Sequence, residues 1–142
     1  MEKVMDLIST YLVKNSDIGI HGNLFGGQLL YQLDSSAASY AMQLCDTPRM
    51  VTVSIDKCVF QKPAKGGQLI KIYAEVKEFG KTSITLHVEA RRHNVYTGLH
   101  TVILSTNMKF VRVDDEGSPI PISDRVKKRH LEKKKSNQSL TE

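Results

Sequence analysis

Tryptophan is absent from this chain of 142 residues, and there are only two cysteines, four prolines and 6% aromatic residues. The two cysteines, Cys45 and Cys58, form no CxxC pair and no metal-spaced cluster. That argues against a disulfide scaffold and against a zinc module. No run approaches the roughly 18–20 consecutive apolar residues of a membrane-spanning helix. The first residues, Met1-Glu-Lys-Val-Met-Asp6, lack the basic start, apolar stretch and small-residue cleavage site of a secretory leader. A cytoplasmic protein with reduced thiols is therefore expected. What is present is ordinary for a globular chain: 40% hydrophobic and 25% charged residues, enough for one core and too few for two.

Charge of one sign is missing from most of the chain. Residues 1–124 carry 13 Lys/Arg against 13 Asp/Glu, so the formal surplus of +5 lies entirely in residues 125–142. This divides the chain into a single domain, 1–124, and a basic C-terminal tail, 125–142, partly helical or disordered, with disorder expected beyond about Lys135. A nucleic-acid-binding protein would spread its cations over a folded face and interleave aromatics, so nucleic acid is not the expected partner. The tail fits a phosphorylated ligand, an acidic partner, or a simple solvated run.

Four segments alternate apolar and polar residues with period two. They are 51–56 (Val51, Val53, Ile55), 70–77 (Ile70, Ile72, Ala74, Val76), 84–91 (Ile84, Leu86, Val88, Ala90), and a stretch from His100 carrying Val102, Leu104, Met108 and Phe110. Short connections, including a turn at Gly80-Lys81, predict antiparallel pairing. Residues 6–14 lean towards a fifth strand. Only Gln28 to Leu44 has helical period, with Leu30, Leu33, Ala37, Ala41 and Leu44 on one face. The spacing predicts an α+β layer: one helix, about 24 Å long, against a long antiparallel sheet that wraps it. The open edges and face of that sheet call for an oligomer.

Asp34 breaks the pattern of that helix. At 100° per residue it falls on the apolar arc between Ala38 and Ala41, although solvent-facing positions are plentiful. A carboxylate withdrawn from water is expensive, and such environments tune general bases and nucleophiles. A structural acid satisfied across a subunit boundary is the plainer alternative. Just before the helix lies Ile20-His-Gly-Asn-Leu-Phe-Gly-Gly27. Glycines there let a carbonyl approach the unpaired N–H groups of the helix N-terminus, an oxyanion-type site. No Lys-Ser/Thr follows, which disfavours a phosphate loop.

Gly22-Asn-Leu-Phe-Gly-Gly27 with Leu30, Leu33 and Asp34 resembles the signature of hotdog-fold acyl-CoA thioesterases, in the branch of the bacterial YciA-type enzymes and the animal cytosolic acyl-CoA hydrolases. The resemblance continues through Val51-Thr-Val-Ser-Ile-Asp56, Phe60-Gln-Lys-Pro63, Gly66, Gly80-Lys-Thr-Ser83 and Asp115-Glu-Gly-Ser-Pro-Ile-Pro121, covering roughly residues 7–122. It implies a hotdog fold and hydrolysis of acyl-CoA to free acid and coenzyme A, without metal or redox cofactor. It implies a catalytic role for Asp34 as general base or nucleophile, support of the reacting groups by Asn23, and polarisation of the thioester carbonyl by the Gly27 N–H, beside Gly26. It places Val53, Ser54 and Ile55 along the pantetheine channel and Thr82, Ser83 and Ile84 against coenzyme A. Arg125, Lys128 or Arg129 would meet the nucleotide phosphates. The acid and the glycine loop would come from opposite subunits of a homodimer, within a trimer of dimers.

Other residues carry less chemistry. His21 adjoins the loop without being required by the signature, and His87 and His93 belong to a polar strand face. Ser35 and Ser36 have no paired histidine. Leu24, Phe25, Tyr31 and Phe60 are candidates for lining an acyl pocket. A non-catalytic acyl-CoA binding or regulatory module on the same fold is the alternative function. The intact Asn23, Gly26-Gly27 and Asp34 argue against it. A hydratase, which would need a histidine beside the acid, ranks last.

Overall fold

The computed structural model describes residues 5–141, with side chains described through residue 136. Strand β1 (Asp6–Leu12) is followed by a 3-10 turn (Asn15–Asp17), helix α1 (Gly26–Cys45) and strand β2 (Met50–Ile55). Then come β3 (Leu69–Phe79), β4 (Ser83–His93), β5 (His100–Arg112) and helix α2 (Asp124–Thr141). The strands form one antiparallel sheet in the order β1-β3-β4-β5-β2. The alternation seen in the sequence is realised directly in β3 and β4, whereas in β5 a register shift opposite Ala90 and Arg91 buries Ile103 beside Leu104 and leaves Val102 only half-buried. Ile70, Ile72, Ala74, Ile84, Leu86, Val88 and Ala90 are fully buried against α1, and their neighbours face outward. The sheet wraps one central helix, as the resemblance implies.

The buried stripe of α1 differs from the expected one. It runs through Leu29, Leu33, Ala37, Ala41 and Cys45, while Leu30 and Leu44 are only half-buried. Strict four-residue steps advance 400° each, so the stripe drifts about 40° per step and suits a helix crossing the sheet obliquely. Leu33 and Phe110 are wholly enclosed; each such side chain contributes roughly 1.5–3 kcal/mol relative to exposure. Leu33→Ala, which also leaves a cavity, would cost about 2–5 kcal/mol.

The two sheet edges differ in how well they are covered. The β1 edge carries a ladder interrupted by an irregularity between Leu7 and Ser9. Strand β2 pairs only with β5 and buries Met50 alone, leaving Val51, Val53 and Ile55 exposed. Apolar side chains on an unpaired edge are what a partner subunit covers.

The basic segment forms α2, which is anchored over its first two turns. Ile122 and Val126 are buried, and the His130 ring meets Phe79 edge-on with centroids 5.2 Å apart. From Leu131 to Ser136 the side chains are exposed, although Lys133 Nζ reaches Asp6 at 3.6 Å. Glu142, the last residue of the predicted tail, lies outside the described residues. No helix among the described residues is long and apolar enough to cross a membrane.

Candidate active site

The segment before α1 is held by backbone hydrogen bonds rather than by side chains. Gly22 turns it with φ +74°, a conformation that favours glycine. The Gly19 N–H donates to Asn23 O at 2.8 Å, and the Phe25 N–H to Asp17 O at 2.8 Å. Asn23 also bridges to Lys65 in the loop between β2 and β3. Its side-chain amide, half-buried, has no partner among the described residues.

At the helix start, Phe25 is the N-cap and supplies no side-chain cap. The N–H groups of Gln28 and Leu29 already turn back to Phe25 O, at 2.9 and 3.1 Å. The N–H groups of Gly26 and Gly27 therefore remain without acceptors among the described residues, at the positive end of the helix dipole. Gly26 sits close under an aromatic ring: a Cβ there would lie 3.1 Å from Phe60 Cζ, so the ring would have to give by a few tenths of an ångström. Two free donors on an exposed turn, flanked by apolar rings, can receive a polarised carbonyl oxygen.

Asp34 lies two turns further along α1. It is half-buried on the flank of the stripe rather than in the core, and it faces β2. Thr52 Oγ1 donates to Asp34 Oδ1 at 2.7 Å. The expected burial is corrected for a definite reason: β2 is an edge strand, so one side of the carboxylate is closed by Thr52 and the other is left open. A hydrogen bond of this length to a carboxylate fixes its rotamer and leaves the second oxygen available. Thr52 was absent from the expected site residues.

Seven residues separate Gly27 from Asp34, which places them about 10 Å apart along the helix. A reacting carbonyl carbon must lie about 3 Å from both its oxyanion donors and its attacking group.

The other expected residues divide. Val53, Ser54 and Ile55 are exposed along β2, past an irregularity in its register between Thr52 and Ser54. Across the sheet, Thr52 aligns with Phe110, which aligns with Ile84. Two strand spacings put Ile84 about 10 Å from Thr52. Thr82 and Ser83 are half-buried at the hairpin, whereas the Ile84 side chain is sealed in the core and offers a ligand only its backbone. Arg125 and Arg129 turn inward, to the carboxylate of Asp46 at the end of α1, at 2.9 and 3.1 Å. Arg129 Nη2 also donates to Leu44 O at 3.0 Å. The hydrogen bond from Arg129, more than any other cause, holds the Asp46 carboxyl below the usual carboxylate range. Lys128, between them, is exposed and has no partner among the described residues.

The remaining chemistry-bearing groups lie off this site. Burial pushes the Cys45 thiol up to about 11, so it packs rather than reacts. His87 is tied through Nδ1 to Asn107 Oδ1 at 2.9 Å on the outer sheet face. His93 and His100 meet there edge to face with centroids 4.7 Å apart. Among the described residues, no group of three His, Cys, Asp or Glu side chains is placed to hold a metal ion.

A family model for the thioesterase superfamily matches residues 21–99, from the glycine loop through β4. The acyl-CoA thioester hydrolase YciA of Escherichia coli K12 is 30% identical over 117 residues, 80% of this chain and 88% of that protein. Cj0915 of Campylobacter jejuni, a hexameric hotdog-fold thioesterase, is 34% identical and superposes with a TM-score of 0.76 over 87% of this chain and 95% of that one. The acyl-CoA hydrolase of Staphylococcus aureus, solved with butyryl coenzyme A, coenzyme A and coenzyme A disulfide, is 27% identical. Its TM-score is 0.75 over 94% of this chain and 93% of that one.

Proposed function

Because the chain belongs to the thioesterase superfamily, with a hotdog fold, we propose that it hydrolyses acyl-CoA to the free acid and coenzyme A in a site completed by two subunits. The observation that carries this reading is the separation of the free Gly26-Gly27 donors from the Asp34–Thr52 pair on one helix, together with the bare apolar edge of β2. Joining two copies at β2 covers Val51, Val53 and Ile55 and brings the acid of one chain towards the glycine turn of the other. The thioester oxygen then sits on the Gly27 N–H, where the negative charge that develops during attack is stabilised. Asp34, oriented by Thr52, acts from the opposite side on a water molecule or directly on the carbonyl carbon. The free amide of Asn23 steadies the nucleophile or the carbonyl. The reaction needs no metal or redox cofactor.

The exposed edge of Val53, Ser54 and Ile55 suits the amides of pantetheine, with Thr82 and Ser83 further along. Of the three candidate tail cations, Lys128 has no partner among the described residues and is free to meet a nucleotide phosphate. Arg125 and Arg129 have donors already committed to Asp46. The hexameric relatives favour a trimer of dimers, and the two free thiols suit a reducing cytoplasm.

Thiol release from a ladder of acyl-CoAs, short to long, tests the reading with Asp34→Ala alongside. Turnover by the wild type that disappears in a folded, assembled variant is expected. Near-normal turnover without the carboxylate, or binding with no thiol release at any chain length, would overturn it.

A further inference from the structure

Two aromatic rings stand beside the free donors of α1. A Cβ on Gly26 would lie 3.1, 3.4 and 3.6 Å from the Cζ, Cε1 and Cε2 atoms of Phe60. One on Gly27 would lie 3.5 Å from Cδ1 and Cε1 of Phe25. Both rings are surface-facing, Phe25 at 61% and Phe60 at 50% exposure. Phe60 is held in place by the chain around it. Next to it the Gln61 N–H donates to Ile103 O at 2.9 Å, and Arg92 Nη1 donates to Pro63 O at 2.6 Å.

An apolar wall beside two unsatisfied N–H groups matches a molecule that is polar at one atom and apolar just beyond it. A thioester carbonyl on the Gly27 N–H has two substituents. The sulfur side leads to pantetheine, whose amides need hydrogen-bond partners that a phenyl ring cannot supply. The acyl side is hydrocarbon and gains by lying along the ring. Resting on the proposed thioesterase reading, we propose that Phe60 is the specificity-determining wall of the acyl site, admitting straight chains past the Gly26-Gly27 turn and rejecting branches next to the carbonyl. The glycine at 26 belongs to the same device, because a Cβ there would press on the ring and shift it by a few tenths of an ångström.

The test compares n-butyryl-CoA with isobutyryl-CoA, which share the coenzyme A half and differ by branching beside the carbonyl. The ratio of their kcat/KM values cancels effects on coenzyme A binding. The wild type should favour n-butyryl-CoA. Phe60→Ala should raise the isobutyryl-to-butyryl ratio about tenfold or more, the scale on which apolar pockets discriminate a single methyl group. Phe60→Leu, which keeps the packing volume better, should raise it less and serves if the alanine variant does not fold. A wild type that turns over both esters, with the ratio unchanged in the variants or with equal losses on both, overturns the acyl wall alone. A wild type that releases thiol from other acyl-CoAs but from neither of these esters also overturns the acyl wall alone, whereas absence of release along the whole ladder of chain lengths overturns the thioesterase reading and this proposal with it.

Discussion

The two ends of α1 present opposite solutions to the same problem. Every helix leaves N–H groups unpaired at its start and C=O groups unpaired at its end. At the end of α1 the chain closes these accounts. Asp46 adopts a left-handed conformation, φ 55°, and returns its N–H to Met42 O, while Arg129 takes the Leu44 carbonyl and, with Arg125, the Asp46 carboxylate. At the start the cap is a phenylalanine with nothing to offer, two glycines keep their N–H groups free, and the turn is open to solvent. Satisfying a helix end stabilises it by about 1 kcal/mol for a good side-chain cap. On the proposed reading, the second end is left open for the thioester carbonyl.

The largest effect should come from the acid that the open end serves. Asp34→Asn keeps the shape and can still accept from Thr52, yet it cannot take a proton or attack, so turnover should fall about 10²–10⁴-fold with the melting temperature little changed. Next comes the open turn itself. Proline is tolerated in the first turn of a helix and lacks the N–H, so Gly27→Pro should lower kcat about 10²–10³-fold while the circular dichroism spectrum stays native. These two inactive variants also test the sharing of the site. Refolded together, they form mixed dimers in which one of two sites has both parts intact, so about a quarter of wild-type activity should return. No recovery on mixing would place both halves in one subunit and break the comparison.

Thr52→Val removes a hydroxyl of nearly the same shape and tests whether the flank of α1 is organised around Asp34. Losing a hydrogen bond to a charged group should lower kcat roughly 10–100-fold with KM nearly constant. Thr52→Ser should restore most of it. Equal losses with serine and valine would assign Thr52 a packing role only.

How much of this was legible depends on whether the partner surface lies within one chain. The central strands β3 and β4 were plain, because each packs one face on α1 and shows the other outward, which is what period two encodes. The acid and the glycine turn were also plain, as an ionisable residue off its proper face and as a loop too small for anything but close approach. Thr52 was not, since a threonine between Val51 and Val53 reads as the solvent-facing member of an alternation. Its role appears only when β2 proves to be an edge lying against the flank of α1. Asp34 looked more buried for the same reason: the surface that would enclose it belongs to the open β2 edge. Arg125 and Arg129, one helical turn apart, carried a signal of their own, because that spacing puts both on one face able to grip a single carboxylate. The tail read as a charge run hides which cations are already engaged.

The smallest expected effect concerns that closed end, and its sign can be worked out. Arg129 holds the Asp46 carboxyl below its ordinary 3.8, so the pairing is fully present above that value and is lost as pH falls through the lowered one. His130, against Phe79, is held below its ordinary 6.5 by burial first and then by Lys134 and Lys133. A depressed histidine has the same sign: its neutral form favours the docked helix, and that contribution drains away as pH falls below 6.5. Protection of the α2 amides, taken relative to their intrinsic exchange rate at each pH, should therefore fall in two stages on acidification, a first below 6.5 from His130 and a second below 3.8 from Asp46. Asp46→Asn should remove the second stage, raise exchange in α2 already at pH 7, and lower the melting temperature by roughly 2 °C or less, as befits an exposed ion pair. Exchange in α2 that is the same in wild type and Asp46→Asn at pH 7 would show that Val126 and His130 hold the helix without the arginines. Arg125 and Arg129 would then be free for phosphate, and the closed end of α1 would have to be read as a second open one.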